Sequence, residues 1–82
     1  MSIVMLKQVF REALDLPANL EDQLETLTYR SIDQWDSIAH MRLVSDLESA
    51  FDILLETEDV LGLSSFEMAR QILAKHGVNT DA

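Results

Sequence analysis

The sequence predicts an all-α fold, a small three-to-four-helix bundle. Apolar residues recur at spacings of three and four in separate segments, and residue types that start or stop helices bound those segments. Period-two alternation of the kind that marks a half-buried strand persists nowhere in the 82 residues.

The elements follow in chain order. Ile3, Leu6, Val9, Phe10 and Leu14 predict an amphipathic helix over 3–15, which Pro17 prevents from running on. The stretch from Ala18 to Asp36 is too long for a structureless loop in so small a domain. Within it, Leu20, Leu24 and Leu27, preceded by Asn19 as a cap, predict a short helical turn near 20–27. Tyr29, Ile32 and Trp35 then place an apolar side chain at every third residue, and no glycine interrupts them. This connection should be tethered to the core.

The longest periodic segment predicts a helix over 37–51, with Asp36 or Ser37 at its start. Its apolar stripe centres on Leu47, flanked by Leu43, Val44 and Phe51, and His40 falls within the stripe as a half-buried, hydrogen-bonded packing residue. Arg42, Ser45, Ser49 and Ile38 lie opposite. Glu58-Asp59-Val60-Leu61 predicts a turn of helix near 57–61, before Gly62. A last helix over 64–76 has Ser64 and Glu67 as a capping box and Leu63 stapled against Met68. Phe66, Ala69, Ile72 and Leu73 form its buried stripe, and Gly77 ends it.

Size and charge narrow the functions. Residues 1–82 are expected to form one domain, and a core of this size rarely supplies more than roughly 3–5 kcal/mol of net stability. Fifteen acidic residues against six basic give a net charge of −9, which argues against nucleic acid and anionic membranes as partners. With no cysteine, thiolate metal sites and cysteine nucleophiles are excluded. With neither a membrane-spanning run nor a signal pattern, and with Met1 at its start, the chain reads as cytoplasmic and free-standing, and as a monomer because nothing in the helix patterns demands a dimer.

The carboxylates at Asp33 and Asp36, and at Glu56, Glu58 and Asp59, read as solvated acidic faces, so no metal site is expected. Met41 and Met68 read as adaptable packing residues. Ser37 lies one helical turn from His40, but no third group, nucleophile elbow or oxyanion loop accompanies them, so no catalytic residue is assigned. Two roles remain for Ser37: a plain helix cap, or the attachment point of a phosphorylated group, which free N–H groups and the macrodipole favour at a helix start.

Asp36-Ser37-Ile38, followed by Leu43 and Leu47-Glu48, resembles the Asp-Ser-Leu signature of acyl carrier proteins. Phe51-Asp52-Ile53, then Ser65-Phe66 with Ala69 and Ile72, extend the resemblance from about Leu24 to Leu73, and more weakly through the first helix. The resemblance implies a bundle of the acyl-carrier type in which Ser37 receives 4′-phosphopantetheine from coenzyme A through a phosphopantetheinyl transferase. The arm's thiol would carry an acyl group as a thioester to acyl-loading and acyl-transfer enzymes, without catalysis by the carrier. Asp36 would support the modification, by helping to hold Mg²⁺, and Ile38, Met41 and Arg42 would form the docking face.

Three positions depart from the family pattern, the mildest being Ile38 in place of leucine, which keeps an apolar side chain. Ala39 and Arg42 stand where housekeeping carriers usually have acidic residues, which points to a specialised fatty-acid, polyketide or related pathway. Trp35-Asp36 replaces the glycine-rich lead-in of peptidyl carriers, which favours acyl cargo. The alternatives are an aminoacyl or peptidyl carrier of the same fold, or an unmodified acidic helical adaptor for a basic partner protein.

Overall fold

The computed structural model describes residues 2–80; of residues 2, 18 and 20–22 it describes the backbone only. Four α-helices follow one another: α1 (Ser2–Leu14), α2 (Ser37–Phe51), α3 (Thr57–Gly62) and α4 (Phe66–Lys75). A 3₁₀ helix, Ala18–Thr26, joins α1 to the connection before α2. The fold is the expected small all-α bundle, and α1 packs chiefly on α2.

The predicted stripes are the core. Leu6, Val9, Phe10 and Leu14 of α1 meet Leu43, Val44 and Leu47 of α2, and Phe66, Ala69, Ile72 and Leu73 of α4 complete it. Ile3 and Phe51 are half-buried at its margin. Phe10 organises the aromatic centre, edge-on to Trp35 at 5.6 Å and to Phe66 at 5.1 Å between centroids. Such pairs contribute about 0.5–1.5 kcal/mol beyond area burial.

Three helices stop in the same way. A residue in the left-handed region follows the helix, and the next N–H reaches back to a carbonyl five residues earlier. Leu16 bonds Arg11 after Asp15 (φ 51°), Ile53 bonds Glu48 after Asp52 (φ 53°), and Val78 bonds Leu73 after Gly77 (φ 86°). Asp15 therefore turns the chain before Pro17 is reached, and α1 ends at Leu14.

Other sequence expectations shift. Pro17, not Asn19, occupies the N-cap of the 3₁₀ helix and makes no side-chain capping bond. Leu24 and Leu27 are buried, while the side chain of Leu20 and all of Met1 lie outside the described residues. The cap of α4 is Ser65, whose Oγ accepts from Met68 N at 3.0 Å. Ser64 is displaced from that role because its carbonyl accepts from Tyr29 N at 2.8 Å, beside an isolated antiparallel bridge between Thr28 and Ser65. Glu67 pairs with Arg70 instead of completing a capping box.

The connection before α2 is tethered as expected. Trp35 is fully buried, with Tyr29 and Ile32 half-buried against the core. Ser31 and Thr28 close a turn through both backbone and hydroxyl bonds.

Asp59 overturns the expectation of a solvated carboxylate, for it is 3 % exposed. Its Oδ2 accepts from Glu56 N at 3.2 Å, starting α3, and from His76 Nε2 at 3.0 Å. Its Oδ1 accepts from Lys75 Nζ. One carboxylate thus ties α3 to the end of α4, and these donors hold its pKa down at about 2.

Candidate functional site

Helix α2 begins at Ser37 because Asp36 caps it. The Asp36 backbone is extended, and its Oδ1 accepts from Ala39 N at 2.9 Å. Of the two roles open to Ser37, the cap is therefore filled by its neighbour. Ser37 is the first helical residue, and its hydroxyl is exposed.

Two side chains from the preceding turn converge on that hydroxyl. Arg30 Nη2 donates to Ser37 Oγ at 2.9 Å, and Tyr29 Oη lies 3.2 Å from it. The Arg30 guanidinium also stands over the Tyr29 ring, 5.3 Å from its centroid. The hydrogen bond with Ser37 and the neighbouring guanidinium lower the Tyr29 pKa below its ordinary value. Arg30 and Tyr29 were missing from the expected site. Their approach depends on how residues 28–35 fold back, which no local pattern in the sequence reports.

His40 is half-buried and hydrogen-bonded, as its place in the stripe suggested, and both its ring nitrogens are engaged. Trp35 Nε1 donates to Nδ1 at 3.0 Å, and Nε2 lies 2.9 Å from the carbonyl oxygen of Val60. An indole N–H can only donate, so Nδ1 is the acceptor and Nε2–H donates to Val60. Neither nitrogen is left to activate Ser37. The imidazole instead links the connection, α2 and α3.

Beside Ser37 an apolar groove of about 260 Å³ opens between α2 and α3, lined by Tyr29, His40, Met41, Val60, Leu61 and Leu63. Three roomier clefts, along the outer face of α4, at the end of α2 and between α3 and α4, lie away from Ser37 and have mixed polar linings. Around the groove, Ile38 is 73 % exposed, Met41 55 % and Leu61 78 %. Met41 is thus a surface residue and not core packing, and Leu61 joins the exposed apolar rim without having been foreseen.

The remaining expected site residues divide. Arg42 is exposed, but its Nη1 donates to the Ala13 carbonyl at 3.1 Å, satisfying the last turn of α1. Ala39 is buried, so it does not belong to the outward face. Glu48, part of the resemblance, accepts from Leu55 N at 2.9 Å and shapes the chain after α2. Among the described residues, no three His, Asp or Glu side chains are grouped to hold a metal ion. None of the described helices is long and apolar enough to cross a membrane.

No protein-family model, curated protein or solved structure matches this chain.

Proposed function

We propose that this protein is an acyl carrier, modified on Ser37 with 4′-phosphopantetheine, and that it serves a specialised acyl-transfer pathway. The observation that carries the proposal is the division of labour at the start of α2. Asp36 takes the cap, and the exposed Ser37 hydroxyl is left facing a guanidinium. A phosphate ester fits there, because the helix start and Arg30 both stabilise negative charge.

In the modification, Ser37 Oγ bonds to the phosphorus of coenzyme A nearest the pantetheine. The P–O bond of the diphosphate breaks, and adenosine 3′,5′-bisphosphate leaves with the electron pair. The hydroxyl proton passes to a base of the transferase. Once attached, the arm supplies a thiol that carries an acyl group as a thioester. The chain itself contributes the attachment point, the groove beside it and the docking rim.

That division suits a carrier without catalysis of its own, since the histidine nearest Ser37 in sequence is committed to Trp35 and Val60. Ile38, Met41 and Leu61 supply a small apolar rim around the serine, a size suited to partners that must bind briefly and leave. Arg42 contributes positive charge at its edge, consistent with dedicated partners. Incubation with coenzyme A, Mg²⁺ and a broad-specificity phosphopantetheinyl transferase tests the assignment. The parent should gain one arm, and Ser37→Ala none. No gain in a folded parent would favour the unmodified adaptor.

A further inference from the structure

We infer that Arg30, assisted by Tyr29, is the positioning residue for the phosphate ester at Ser37, gripping its non-bridging oxygens and so fixing where the arm leaves the protein. This inference rests on the carrier assignment of Ser37 and adds residues outside the Asp-Ser-Ile signature.

The backbone at Arg30 gives the first reason. Among the described residues, three other than glycine have positive φ: Asp15, Asp52 and Arg30 at 64°. The two aspartates belong to a residue type that tolerates this region, and each directly follows a helix. Arg30 does neither. A long cationic side chain is held where glycine or asparagine would be less strained, and such strain persists where the surrounding structure over-determines it.

The surroundings do over-determine it. Arg30 N donates to the Trp35 carbonyl at 3.1 Å, closing the turn before α2, and Tyr29 N is held by Ser64. The guanidinium is further placed by the Tyr29 ring beneath it. Its target in the unmodified chain is a neutral hydroxyl, which uses little of a five-donor planar fork. Esterification puts two oxygens sharing one negative charge beside that fork, matching its bidentate geometry. Tyr29 O–H can donate to the same group. The neighbouring Asp36 carboxylate is turned onto Ala39 N–H.

The experiment loads the parent, R30Q, R30K, R30G and Y29F with the arm and verifies each by intact mass. The ³¹P resonance is then compared in the folded protein and in urea. R30G relaxes the left-handed backbone, so it keeps the fold while removing the guanidinium. In the parent the folded resonance should be displaced from the unfolded one. That displacement should vanish in R30Q and R30G, survive in part in R30K and shrink in Y29F. Equal displacement in the parent and R30Q would overturn the inference and leave the carrier assignment standing. Arg30-dependent binding of inorganic phosphate by the unmodified chain would make this a free-anion site and also overturn it. Failure of the parent to load would overturn the carrier assignment, and the inference with it.

Discussion

The indole N–H of Trp35 points at Nδ1 of His40 from 3.0 Å, and this bond fixes the imidazole so that its other nitrogen holds the Val60 carbonyl. Trp35 is fully buried, and truncating His40 takes away the acceptor that its indole N–H uses within the fold. An orphaned buried donor costs about 1–3 kcal/mol. His40→Ala should therefore lower the midpoint of urea unfolding by that equivalent and change the Trp35 emission. Ser37 should still accept the arm. Unchanged stability together with lost modification would make His40 a reactive group instead.

Asp59 sets an acid limit on stability. Its pKa falls from the ordinary 3.8 to about 2, chiefly through the hydrogen bond from Lys75 and then that from His76. A carboxylate with a lowered folded pKa stabilises the fold fully above its unfolded value. That contribution disappears as pH drops from about 4 to about 2. Unfolding free energy measured between those limits should decline in the parent and decline less in Asp59→Asn, which starts lower. Equal slopes would mean that the contact with Lys75 and His76 contributes nothing.

Asp36 separates capping from charge. Asp36→Ala removes the acceptor for Ala39 N and should cost about 1 kcal/mol in denaturant unfolding. Asn caps as well as Asp, so Asp36→Asn should keep that stability. If the carboxylate also helps hold Mg²⁺ during modification, Asp36→Asn should slow arm transfer at constant stability. An unchanged transfer rate would confine Asp36 to the cap.

These contrasts mark how far local sequence reaches. Helix α2 was legible to the residue, because an unbroken stripe from Leu43 to Phe51 and a capping aspartate define it between them. The stripes of α1 and α4 were equally legible, since burial along a helix follows its period. Asp59 was not, for its partners Lys75 and His76 lie sixteen and seventeen residues onward and nothing near Asp59 announces them. The cap of α4 slipped from Ser64 to Ser65 because Tyr29, a distant residue, takes the Ser64 carbonyl. Ser37 stood out from its neighbours, whereas Arg30 depended on a fold-back that only the whole molecule defines.

The exposed apolar rim should matter to partners and not to the fold. Aspartate at Ile38, Met41 or Leu61 should change stability by no more than about 0.5 kcal/mol, as surface substitutions do. Each should slow acyl loading by the cognate partner about tenfold, the effect of losing about 1.4 kcal/mol of contact in the transition state. Arg42→Ala should differ, losing about 1 kcal/mol of stability with its bond to the Ala13 carbonyl. Loading rates untouched by all three aspartates would place docking on another face.

The central claim concerns one hydroxyl. Intact-protein mass spectrometry, before and after incubation with coenzyme A, Mg²⁺ and a phosphopantetheinyl transferase, tests it most directly. The parent should gain the mass of a single phosphopantetheine arm, fragmentation should locate it on Ser37, and Ser37→Ala should gain nothing. A folded parent left unmodified by several transferases, or an arm found on any other residue, would contradict the account.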